Sequence, residues 1–93
     1  MPYIQGATIA FDPAKDAANR AKHGVSLVLA ALVLEHRVGE VVDDRRDYGE
    51  VRVNAFGLIG ERLYVCTYTL RGAVCRVISL RKASSKEQRQ WRP

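Results

Sequence analysis

The sequence is poor in the residues from which metal sites, disulfide scaffolds and membrane anchors are built. Among its 93 residues are two cysteines, two histidines, one tryptophan and one methionine. Cys66 and Cys75 lack metal-site spacing, and so few thiols frame no small disulfide fold, which fits a reducing, cytoplasmic compartment. No N-terminal stretch joins a basic start to an apolar segment and a small-residue cleavage site, so no export signal is expected. The longest apolar run, LVLAALVL at 27–34, is far short of the roughly 20 residues that cross a bilayer. It reads as a buried helix or an interface, not a membrane anchor. Neither metal nor cofactor is expected, and the length suits a single domain over 1–93.

What is abundant is positive charge. Fifteen Lys and Arg face ten Asp and Glu, for a net +5. The excess is local: residues 71–93 carry seven basic groups and one acid, whereas residues 1–70 carry eight basic and nine acidic groups. A basic C-terminal quarter favours a polyanion or an acidic protein as partner.

Punctuation along the chain defines the elements. Asp12 as N-cap, Pro13 at the first helical position and Gly24 just past the end specify a helix over about 13–23. Its Ala14, Ala17, Ala18 and Ala21 form a small-residue stripe suited to close packing, with Lys15, Asn19 and Lys22 on the neighbouring flank and His23 beyond. Lys and His in a last turn also favour the helix dipole, so the pair has a capping role whatever else it does. Ser26 caps a second helix ending near Glu35 or His36. Strands are read at 38–43, 50–58, 62–70 and 73–81, and Ser84 with Glu87 forms a capping box opening a basic final helix that ends near Trp91. The fold class is α+β: two N-terminal helices and a C-terminal helix around a mainly antiparallel four-stranded sheet.

A two-residue loop at Arg71-Gly72 would pair Leu70 with Ala73 and sort the last two strands into faces. Leu63, Val65 and Thr67 then join Val74, Arg76, Ile78 and Leu80 beneath the helices. Arg62, Tyr64, Cys66 and Tyr68 join Cys75, Val77, Ser79 and Arg81 on an open face rich in hydroxyls and cations. A three-residue loop near Gly60 would send Val51, Val53 and Ala55 inward and leave Arg52 and Asn54 open, sparing the cost of a buried arginine.

The segments FDPAK, Asn19, KHGVS at 22–26, YGEVR at 48–52, YTLRG at 68–72, RVISLRKA at 76–83 and Glu87 occur in one order from Phe11 to Trp91. Together they resemble the BrnT family, toxins of bacterial type II toxin–antitoxin systems. The resemblance implies a RelE/ParE-like fold, ribonuclease activity and a BrnA-like antitoxin, in a heterotetramer that binds operator DNA. Phe11, Leu27, the VLA at 28–30, Leu80 and Trp91 depart from the usual family residues, mostly at packing positions.

RNA cleavage without a metal needs a base for the 2′-hydroxyl, cations on the phosphate and an acid for the departing 5′-oxygen. Within the matching motifs, Arg52, Arg76 and Arg81 suit the phosphate clamp because guanidinium donors match phosphate oxygens bidentately. Arg76 reaches such a site only if a β-bulge turns it from the packed face. His23, beside Lys22, is the imidazole for proton transfer. Glu50 is a base or an arginine orienter, while Tyr48 and Tyr68 are stacking surfaces or proton donors. Lys15, Arg62 and Lys82 extend the RNA-binding surface. The rival readings are a non-enzymatic ParE-like toxin that binds a protein target, and a plain nucleic-acid-binding module.

Overall fold

Short-range signals set the helix ends. Asp12 Oδ1 accepts the Ala14 N–H at 2.8 Å, Pro13 opens the helix, and Gly24, at φ 74°, closes it by donating its N–H to the Arg20 carbonyl. The computed structural model describes residues 8–43 and 49–91. In chain order they form β1 (Thr8–Ala10), α1 (Pro13–His23), a 3₁₀ turn (Leu27–Leu29), α2 (Ala30–Glu35), β2 (Arg37–Asp43), β3 (Arg52–Ile59), β4 (Arg62–Arg71), β5 (Val74–Lys82) and α3 (Ser85–Trp91). The expected second helix is thus divided. Ser26 caps the 3₁₀ turn by accepting the Val28 N–H, and Asp16 ties that turn to α1 through the Ser26 hydroxyl at 2.9 Å and the Leu27 N–H at 2.7 Å.

The sheet is five-stranded and mixed, in the order β1-β5-β4-β3-β2, which corrects the expected four antiparallel strands. The added strand, β1, precedes the helices and runs parallel to β5, with Thr8 opposite Val74. Three residues are too few to show a period of two, and β1 gains its structure from a partner far along the chain.

The face assignment is also corrected. The helices cover Cys66, Tyr68, Cys75 and Val77, which join Leu27, Ala30, Val33, Leu34, Val53, Ala55 and Leu80 in one buried core. Leu63 and Val65 lie on the opposite face, in a second cluster with Phe56 and Ala83 that Trp91 covers. Cysteine and the tyrosine ring are apolar enough to form a core, the Tyr68 hydroxyl finding Glu40 at 3.2 Å. Both hairpins differ in detail from expectation. Ile59 pairs with Arg62, so the β3–β4 loop has two residues, and Arg71 pairs with Val74, so the next loop is Gly72-Ala73. Val53 and Ala55 still point inward, because the shorter loop and the exchanged faces compensate; Val51 is exposed.

A register shift separates Tyr68↔Val77 from Thr67↔Ser79. The extra residue, Ile78, is a β-bulge that carries Leu80 into the core and leaves Ser79 and Arg81 on the open face. Gly57 lets α2 settle on the sheet, since a Cβ there would stand 2.0 Å from the Val33 carbonyl oxygen. The alanine stripe of α1 does not pack: Ala14, Ala17, Ala18 and Ala21 are exposed, and Asn19 is the buried residue of that helix. Among the described residues no helix is long and apolar enough to cross a membrane.

Candidate active site

On the open face, register alone builds a polar row across the sheet. Val41 pairs with Asn54, Asn54 with Thr67, and Thr67 with Ser79. Beside it lies an open cleft of about 510 Å³, lined by Lys22 and His23 of α1, Val41–Asp43 of β2, Asn54, Thr67, Ser79, Arg81 and, from α3, Glu87. The Thr67 hydroxyl donates to Asn54 Oδ1 at 2.7 Å. Asp43 is buried in the cleft wall.

Arg81 and Glu87 form a two-pronged ion pair, Nη1 to Oε1 at 2.7 Å and Nη2 to Oε2 at 2.9 Å. Such parallel bonds fix the guanidinium plane as well as its charge. Glu87 is held in turn by the capping box, with Oε1 accepting the Ser84 N–H at 2.8 Å and the Ser84 hydroxyl accepting the Glu87 N–H at 3.2 Å. The Arg81 hydrogen bonds, followed by the Ser84 N–H, outweigh partial burial and hold the Glu87 carboxyl down at about 2.

His23 is half-buried at the end of α1. Its pKa is lowered, first by desolvation and then by the charges of Lys22 and Arg81, so the imidazole is neutral at pH 7. One helical turn earlier, Asn19 fixes this arrangement. Its Nδ2 donates to the Leu80 carbonyl at 2.8 Å and the Val25 carbonyl at 2.9 Å, while its Oδ1 accepts the Leu80 N–H at 3.1 Å. A buried amide that bonds both backbone groups of Leu80 latches α1 to the residue preceding Arg81. The latch brings His23 and Arg81, far apart in sequence, to one cleft.

The other candidates from the sequence lie elsewhere. Tyr68 is fully buried on the helix-covered side, where burial and the Glu40 charge raise its pKa, so the expected place on the open face is corrected. Arg76 pairs with Thr69 on the open face, not beneath the helices, yet it does not line the cleft. Arg52 shares that face two residues before Asn54 and lies 3.9 Å from Glu50, which also meets Arg71 at 3.4 Å. This charged group is outside the cleft lining. Arg62 donates to the Ala83 carbonyl at 3.0 Å, tying β4 to the start of α3, and Lys82 is exposed opposite Tyr64. Lys15 is exposed on α1, two turns before Lys22. Tyr48 lies outside the described residues. Asn19, Asp43, Asn54 and Thr67 were not singled out for the site by sequence; their signal is the register and the latch, neither of which is local.

Comparison with known families gives one result that bears on this cleft. A family model described as ribonuclease toxin, BrnT, of type II toxin-antitoxin system matches residues 11–87, a span that includes every cleft-lining residue. No curated protein matches the chain.

Proposed function

The chain belongs to the BrnT family of ribonuclease toxins of type II toxin–antitoxin systems, and on that premise we propose that it is a metal-independent endoribonuclease acting in the cleft between α1, β5 and α3. The observation that carries this reading is the meeting of an imidazole, His23, with an oriented guanidinium, Arg81, at a solvent-open cleft. In the proposed reaction His23 takes the proton of the ribose 2′-hydroxyl. The 2′-oxygen then bonds to phosphorus, the bond to the 5′-oxygen breaks, and a 2′,3′-cyclic phosphate forms. Arg81 and Lys22 stabilise the charge that builds on the phosphate, and water returns a proton to the departing 5′-oxygen. Preorganisation by Glu87 means that little of the Arg81 side chain remains to be ordered in the transition state.

Membership of a type II system implies an antitoxin and an RNA target. In the proposed reading the antitoxin is BrnA-like and works in the cytoplasm. It covers the cleft and the basic segment 71–93 with acidic groups of its own, and assembles with the toxin as a heterotetramer on operator DNA. Arg76, Arg52, Lys15, Lys82 and Arg62 then serve as outlying cations for the RNA strand, with Glu50 orienting Arg52 and Tyr68 supporting the core behind the cleft.

The test is incubation of the purified protein with RNA in EDTA, followed by end-group analysis. Fragments ending in 2′,3′-cyclic phosphate are the expected result. RNA left intact, with or without ribosomes, would contradict the reading and favour a protein target.

A further inference from the structure

We propose that the uncharged row Asn54, Thr67 and Ser79 on the cleft floor is a nucleobase subsite that takes bases presenting carbonyl oxygens and disfavours adenine. This rests on the ribonuclease reading and names what the cleft selects.

The geometry comes from register. Ser79 lies two residues before Arg81 on the same face, about 7 Å away at strand spacing. From Ser79 the row runs through Thr67 to Asn54, two strand spacings or about 10 Å. A phosphate held by Arg81 and Lys22 therefore has its ribose and base over a floor of nucleotide dimensions. The chemistry divides in the same way. The charged groups of the lining are Lys22, Asp43, Arg81 and Glu87, whereas the row itself offers only an amide and two hydroxyls. Charge fixes a backbone without reading it; neutral donors and acceptors read base edges.

The polarity of the row sets the preference. The Asn54 amide oxygen is engaged by the Thr67 hydroxyl at 2.7 Å. Its NH2 makes no hydrogen bond among the described residues, and neither does the Ser79 hydroxyl. The group that Asn54 has left to offer a ligand is thus a donor, matched by the carbonyl oxygens of uracil or guanine. Guanine O6 and N7 form an edge of acceptors alone and uracil O4 accepts on its C5 side with no donor beside it, whereas N1 and N7 of adenine each adjoin the 6-amino donor. Val41, 44% exposed at the end of the row, supplies apolar surface for the base.

The experiment measures binding rather than cleavage, by fluorescence anisotropy with 2′-O-methyl oligonucleotides of uridine and of adenosine, which present the bases but cannot react. Wild-type protein is expected to favour the uridine strand by about tenfold. Asn54→Asp replaces the donor with an acceptor and is expected to reverse the ratio; Asn54→Ala, should the aspartate variant melt early, is expected to abolish it. Equal affinity of the wild type for both strands, or a ratio unchanged in a folded Asn54 variant, would overturn the subsite. Cleavage by a wild type without base preference would reject the subsite alone, and preference without cleavage would reject the ribonuclease reading alone.

Discussion

At the scale of single residues, the site is a set of side chains whose protonation is set by their neighbours. His23 starts below the ordinary 6.5 because it is partly desolvated and faces Lys22 and Arg81, with the carboxylates Asp43 and Glu87 lining the same cleft. As a base it is competent when neutral, so the cleavage rate should be level above pH 7 and fall on an acid limb whose midpoint lies below 6.5; a midpoint above that value in single-turnover pH profiles would contradict the assignment. Glu87 behaves in the opposite sense. Its carboxyl moves from the usual 4.5 to about 2 on folding, so the native protein binds fewer protons than the unfolded chain between those values. The stabilisation it gives is full above pH 4.5 and is lost as pH falls towards 2. Glu87→Gln should therefore lower the melting temperature at neutral pH, and the gap from wild type should narrow through that acid window. Thermal melts from pH 7 to 2 check both parts.

At the scale of elements, the Asn19 latch and the glycine under α2 hold the machinery together. Asn19→Ala removes a buried amide and leaves the N–H and C=O of Leu80 without their side-chain partners, a loss of about 1–3 kcal/mol. Because the latch holds His23 in its desolvated place near Arg81, the same variant should also raise the His23 pKa towards 6.5, read by NMR titration; a destabilised protein with an unmoved titration would make Asn19 structural only. Gly57→Ala drives a Cβ against the Val33 backbone and should cost about 1–3 kcal/mol in denaturant melts while sparing the cleft. Much of this level was legible from the sequence wherever the signal was local: Asp12, Pro13 and Gly24 for α1, Ser84 and Glu87 for the start of α3. What misled was the sheet. Cys66, Tyr68 and Cys75 read as polar by residue type but pack as core, and the bulge at Ile78 leaves no mark in hydrophobic alternation. Ser79 and Arg81 were expected on the open face and are found there, although the face they share is that of Thr67, not of Tyr68. The alanine stripe failed for a related reason: three hydrogen bonds from Asn19 determine how α1 rolls onto the sheet.

At the scale of the molecule, one face of a mixed sheet takes α2 and the main core, and the other is divided between an apolar end covered by Trp91 of α3 and a polar end left as a cleft. Trp91 stacks on Phe56 at 4.8 Å and sits where a side chain at Gly39 would be, so α3 is anchored at its far end while Glu87 near its start holds Arg81. The basic excess of residues 71–93 is expected to supply a general attraction for RNA, which salt screens beyond about 10 Å at 0.1 M. In the proposed function cleavage depends on His23 and Arg81 acting across the cleft. The most direct test of that dependence is single-turnover RNA cleavage at saturating protein for His23→Gln and Arg81→Ala, with thermal melting of each. The account predicts rates at least about 10²-fold below wild type in both variants while the proteins remain folded; a folded His23→Gln protein that cleaves as fast as the wild type would contradict it.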